Sequence, residues 1–239
     1  MFNFLPRRPV RSRPPSPAGN AAPDHRLTGT QAKVHDALLA ALLGTSPCVV
    51  LTGAAGFGKT TVLAAALSCL DERERRVLRL DDGEGGIEKA FDVLFASARQ
   101  RPHRRPCTDR RLVLVMDQVE AKPPGSFAPL ELLSRMPGKA APIQWVFVGR
   151  SEPWQCPDGP VAAWLREANP TCLALSALSE EDAWELFHHR VSPACSLRSA
   201  AKLVAALLKQ SDGSPGRFDM AIKAAIAAGL LQGNPAQAA

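Results

Sequence analysis

Residues 53–60 read GAAGFGKT, and the types and spacing in that stretch suit phosphate chemistry. Glycines at 53, 56 and 58 let the backbone curl with its N–H groups turned inward, where they bond anionic oxygens. Lys59 is placed to reach the β- and γ-phosphates of a nucleotide, and the Thr60 hydroxyl to ligate Mg2+. Thr61 lies nearer the α-phosphate. The whole stretch Gly53, Ala54, Ala55, Gly56, Phe57, Gly58, Lys59, Thr60 and Thr61 is therefore read as a phosphate-binding Walker A loop. The competing reading is a glycine-rich turn with a solvent-exposed lysine.

A second set of groups belongs beside this loop. Leu112–Met116 is an uninterrupted apolar run followed at once by Asp117, the Walker B pattern. A carboxylate at the C-terminal end of a buried parallel strand stands where ligands collect in open α/β sheets, so Asp117 is the second metal-site residue. Hydrolysis needs a group that polarises the attacking water, and the next position holds Gln118, which bonds water but does not take its proton at neutral pH. Glu120 follows two residues later. If the backbone stays extended, Glu120 projects to the same side as Gln118 and supplies a base; otherwise it is an exposed loop glutamate. Farther on, Gly149, Arg150 and Ser151 end a strand facing the γ-phosphate across the crevice from Asp117. Arg150 either senses that phosphate or pairs with a carboxylate. Arg217 begins the last helix, where it reaches back to the nucleotide or remains a surface arginine.

Positioning these groups requires a strand before the loop and a helix after it. Cys48–Thr52 is a short β-branched run, and residues 61–70 continue with helical periodicity. Further strands are expected at Arg76–Leu80, Leu112–Met116, Ile143–Val148 and Cys172–Leu175, and helices over 30–43, 87–99, 129–136 and 161–167. Ser179 with Asp182 three residues later forms a capping-box-like start to a helix through Arg190. Two more helices, 196–210 and 217–231, flank a break at 212–216, and this strand-free end forms a helical subdomain. The expected division is a basic Pro/Arg-rich tail over 1–26, a nucleotide-binding core over 27–178 and a helical lid over 179–239.

Composition narrows the class. The chain has 239 residues, 46% of them hydrophobic, and a formal charge of +6. That supports one sizeable core with a small satellite. No apolar run approaches the roughly 18 residues needed to span a bilayer, and the N-terminus has no secretory h-region, so a cytoplasmic protein is expected. Six cysteines are scattered with no CxxC pair, which favours reduced thiols over zinc or a disulfide framework. His188 and His189 are neighbours on a helix, point apart, and are expected at the surface. Arg7, Arg8, Arg11, Arg13 and Arg26 make the proline-rich tail basic, and a second cluster runs from Arg99 to Arg111. Such clusters grip nucleic acid or an anionic membrane surface, or more often stand as solvated charge, so DNA and a protein both remain as partners.

The order GAAGFGKT, LVLVMDQVE, WVFVGRSEP, LALSALSEEDAWELFHHRV and SDGSPGRFDMAI resembles the AAA+ ATPases, most closely the general secretion pathway protein A type and related transposition-helper ATPases, over about residues 27–230. The resemblance implies an α/β P-loop NTPase fold with a five-stranded parallel sheet in the order 5-1-4-3-2 and a C-terminal helical lid. It further implies ATP and Mg2+ as ligands, the 149–151 strand end as sensor 1, and Arg217 as sensor 2. Relatives read DEAQ where this chain reads Asp117, Gln118, Val119, Glu120, so glutamate and glutamine have exchanged places. The absence of an NKxD motif favours ATP over GTP.

Three functions follow as expectations. The first is a Mg2+-dependent ATPase whose nucleotide state moves the lid against the core and acts on a protein or DNA partner, in a homo-oligomer or alone. The second is a nucleotide-binding switch with little turnover. The third is a small-molecule P-loop kinase, against which the late helical subdomain and Arg217 argue.

Overall fold

The computed structural model describes residues 27–71, 74–80, 111–121, 143–150, 165, 167–192 and 197–233. The basic tail over 1–26, the helices expected over 87–99 and 129–136, most of that over 161–167, Ser151 and the arginines from 99 to 110 lie outside the described residues.

The described chain runs α1 (Gly29–Leu43), β1 (Cys48–Gly53), α2 (Lys59–Ser68), β2 (Arg75–Arg79), β3 (Arg111–Met116), β4 (Ile143–Gly149), β5 (Thr171–Leu175), α3 (Glu180–Arg190), α4 (Leu197–Gln210) and α5 (Pro215–Ala227). All strand pairs are parallel, and the sheet order β2-β3-β4-β1-β5 is the expected 5-1-4-3-2. The protein has the expected α/β fold, a five-stranded parallel sheet with helices, followed by the helical subdomain expected as a lid.

The strands read as continuous apolar runs because both faces of the sheet are covered. Alternation of side chains then sorts them into two cores. Val49, Leu51, Val113, Val115, Val146 and Val148 face Leu38 and Leu42 of α1 and Val62, Leu63 and Ala66 of α2. Cys48, Val50, Leu112, Leu114, Met116, Trp145 and Phe147 form the opposite core with Leu165. Burial pushes the Cys48 thiol up to about 12, with the nearby Cys172 adding to the shift.

Polar groups in this sheet serve α1. Gln144 is fully buried in β4, and its Nε2 donates to Ala41 O at 2.9 Å and Ser46 O at 2.8 Å. Arg75 Nη2 donates to Leu43 O at 2.8 Å, and Arg111 Nη1 donates to Gly44 O. Three strands thus satisfy carbonyls at the C-terminal end of α1 and in the turn just beyond it. This corrects the reading of Arg111 as part of a loop cluster for DNA: it opens β3, and its guanidinium is committed to the C-terminal end of α1.

The lid has its own core, with Phe187, Val204, Phe218 and Ile222 buried between α3, α4 and α5. Arg190 Nε and Lys223 Nζ both donate to Asp219, at 2.8 and 2.6 Å. The last helix starts earlier than expected. Ser214 caps it by accepting from Arg217 N at 3.3 Å, and Pro215 fits the first helical position, so the Ser-Pro pair that reads as a break is a helix start. Among the described residues no helix is long and apolar enough to cross a membrane.

Candidate functional site

The loop between β1 and α2 begins where β1 ends, with β4 and β5 on either side. Gly56 and Gly58 hold φ of 80° and 86°, a left-handed region that penalises any Cβ. Space closes the same positions. A Cβ at Gly56 would collide with Ser214 Oγ, and one at Gly58 with Gln31 Nε2. Gly58 is the N-cap of α2 and makes no side-chain cap, so the first donors of that helix are left for a ligand at its positive end.

Carbonyls of the loop are braced by Lys59 and by neighbouring elements. Lys59 Nζ donates to Gly53 O at 2.7 Å and Ala54 O at 2.9 Å. Gln31 Nε2 donates to Phe57 O at 3.0 Å. From the lid, Ser214 Oγ and Gly216 N donate to Gly56 O at 3.1 and 3.3 Å.

Next to the loop, the Thr60 hydroxyl donates to Asp117 Oδ2 at 3.1 Å, joining the start of α2 to the end of β3. Two hard oxygen donors at this spacing suit Mg2+, which takes one or two protein oxygens and completes its shell with phosphate and water. Among the described residues no group of three or more His, Cys, Asp and Glu is placed to hold a metal ion.

Glu120 does not follow the extended path. Gln118 turns left-handed at φ 52°, its N–H donates to Asp117 Oδ1 at 2.8 Å, and Val119–Ala121 forms a 3-10 turn. Gln118 is exposed. The turn delivers Glu120 to the end of β4, where Oε2 accepts from Arg150 N at 3.1 Å and Oε1 lies 3.4 Å from Arg150 Nε. Of the two readings of Arg150, the carboxylate pairing is the one present. The premise that placed Glu120 on the Gln118 side fails because the left-handed residue breaks the strand's alternation.

These charges share one crevice. Burial pulls the Lys59 ammonium below the ordinary lysine range, Glu120 and then Asp117 oppose that shift, and Arg150 reinforces it. Lys59, Thr60, Asp117, Glu120 and Arg150 are thus brought together. Arg217 stands one residue beyond the Gly216 contact, but its Nη1 donates to Asp212 Oδ2 at 3.1 Å and its side chain is 62% exposed.

Gln31, Ser214 and Gly216 were missed in the sequence as loop partners. Thr28 and Gln31 do carry a readable signal, a capping box, and it forms: Thr28 N donates to Gln31 Oε1 at 3.1 Å and Gln31 N to Thr28 Oγ1 at 3.4 Å. The expected box at Ser179 forms in one direction only. Ser179 Oγ accepts from Asp182 N at 3.1 Å, whereas the Asp182 carboxylate accepts from Thr30 N at the start of α1.

No protein-family model matches the chain, and no curated protein matches it in sequence. Solved structures do match in fold. The chain is similar to Cdc6p from Pyrobaculum aerophilum, with a TM-score of 0.55 and 16% identity over 90% of this chain and 65% of that one. It is also similar to a chain of Drosophila ORC bound to DNA, with a TM-score of 0.50 and 14% identity over 93% of this chain and 66% of that one. The chain therefore spans about two thirds of the length of each of these structures. At such identities the likeness is one of fold.

Proposed function

We propose that this chain is an AAA+ ATPase that binds Mg-ATP in the 53–61 loop and couples its turnover to movement of the lid over 179–239 against the core over 27–178. The observation that carries the reading is the Thr60 to Asp117 hydrogen bond at 3.1 Å, with Lys59 in the same crevice. It supports one composite site built from a loop and a strand end far apart in sequence. The finer likeness to general secretion pathway protein A and transposition-helper ATPases rests on the ordered motifs.

In this reading Thr60 and Asp117 hold Mg2+, which neutralises phosphate charge when bound. The Lys59 ammonium exchanges the Gly53 and Ala54 carbonyls for phosphate oxygens, a stronger charge-assisted bond. The N–H groups at the start of α2 bind the remaining phosphate oxygens. Although the backbone does not stay extended, Glu120 stands in the crevice beside Lys59, and from there it acts as the base: it takes a proton from water as the water oxygen bonds the γ-phosphorus and the bond to the ADP oxygen breaks. Until then Arg150 occupies the Glu120 carboxylate. Gln118 orients water, and Arg217 leaves Asp212 to meet the nucleotide as the lid closes.

ATP consumption without an added acceptor tests this in the parent, Glu120→Ala and Gln118→Glu. Slow turnover in the parent, lost in Glu120→Ala, supports the assignment; unchanged activity in Glu120→Ala removes that base. No turnover in the parent with a gain in Gln118→Glu favours the second reading, a nucleotide-binding switch, which the Glu120–Arg150 pair specifically supports. Acceptor-dependent turnover alone would select a kinase.

A DNA or protein partner, and assembly into a homo-oligomer, belong to the same proposal. DNA-stimulated turnover that is lost on replacing Arg104 and Arg105 would identify DNA, and indifference to DNA would leave a protein.

A further inference from the structure

The lid touches the phosphate loop at Gly56 O, through Ser214 and Gly216, and it is tied to the neighbouring carbonyl by a second, indirect route. At the start of α3 the Asp182 carboxylate accepts from Thr30 N at 3.3 and 3.2 Å and from the Thr30 hydroxyl. Asp182 is 6% exposed, and a Cβ on Gly29 would come within 2.8 Å of its Oδ1, so the carboxylate is packed against the first turn of α1. A buried carboxylate on the first N–H groups of a helix is held by the helix dipole and by charge-assisted bonds. The next residue, Gln31, is 7% exposed, and its amide is fixed at both ends, by Thr28 N on the oxygen and Phe57 O beneath the nitrogen. Its Nε2 also fills the place of a Cβ at Gly58.

We propose that Asp182, Thr30 and Gln31 form a mechanical relay by which the lid positions the phosphate loop, independently of Arg217 and without any relay residue touching nucleotide. The proposal rests on the nucleotide-binding reading above. Displacement of α3 pulls on the first turn of α1, which shifts Gln31 and with it the Phe57 and Gly58 peptides whose orientation the bound phosphates need. By linkage, phosphates that hold the loop also hold α3. Asp182 and Gln31 are therefore positioning residues.

Amide hydrogen exchange on the full chain, with and without saturating Mg-ADP, reads the relay segment by segment. In the parent, nucleotide should slow exchange about fivefold or more over 53–60, and also over 29–32 and 179–183. In Asp182→Asn the slowing should persist over 53–60 and at the direct contact over 211–216 but disappear over 179–183, and nucleotide affinity should fall about fivefold or more. Gln31→Met cuts the other end and should likewise uncouple 179–183 from the loop, so the test stands if Asp182→Asn folds poorly. Full nucleotide protection of 179–183 in both variants would overturn the relay, as would a parent protected over 53–60 but not over 179–183. A parent with no nucleotide effect over 53–60 would instead overturn the nucleotide reading, and the relay with it.

Discussion

In the proposed site Lys59, Thr60 and Asp117 each have one role, and substitution separates them. Lys59→Ala removes a charge-assisted phosphate contact and should weaken ATP binding by about 1.5–3 kcal/mol, roughly 10- to 150-fold, in a calorimetric titration. Thr60→Val keeps the shape and deletes the hydroxyl. It should leave metal-free nucleotide binding near the parent value while lowering the gain from Mg2+ by roughly tenfold, measured as the ratio of the two dissociation constants. These residues were legible in the sequence because their chemistry is written locally, in a glycine-punctuated loop and in a carboxylate that ends an apolar run. Gln31 and Asp182 were not, because their decisive partners are 26 and 152 residues away. The path of Glu120 was hidden for a different reason. A left-handed glutamine at 118 is a single-residue event that no periodicity announces.

The elements were read from alternation and apolar run length, which is why the five strands were visible within a residue or so at their ends. What periodicity leaves out is the satisfaction of helix termini. Gln144→Leu strands the Ala41 and Ser46 carbonyls and should lower stability by about 2–4 kcal/mol in urea unfolding, with β4 otherwise intact. Strand β1 carries a pH dependence of its own. The Cys48 thiol titrates at about 12 in the folded protein against 9.0 for the free group, so the folded state keeps a proton that the unfolded chain gives up. Its stabilising contribution is complete below the ordinary thiol range and is lost as pH rises toward about 12. Lys59 has the opposite sign. Its lowered pKa means the folded state sheds a proton earlier, which adds stability as pH rises through the alkaline range. The chain has no tyrosine to obscure this window. Cys48→Val should therefore lose less melting temperature than the parent on going from neutral to strongly alkaline buffer; an equal loss would place the alkaline transition elsewhere.

At the scale of the whole molecule, a sheet supplies one edge and a separately packed helical subdomain meets the loop there at Gly56. The helical end was legible as a strand-free, alanine- and leucine-rich stretch, but its contact with Gly56 was not, because Ser214 and Gly216 read as turn residues until the fold brings them to the loop. The site is composite in the same sense, with Lys59 and Thr60 from one crossover and Asp117 from another strand. We propose that this composite site holds a Mg-nucleotide. Thermal unfolding at rising ATP, with and without Mg2+, measures it directly in the parent and in Lys59→Ala. At 100 times the dissociation constant, ligand linkage should stabilise the parent by about 2.7 kcal/mol in the presence of Mg2+. A saturable rise in melting temperature, enhanced by Mg2+, is expected for the parent, with a smaller rise at the same ATP concentration in Lys59→Ala; no rise in the parent, or an equal rise in both proteins, would contradict the Mg-nucleotide site.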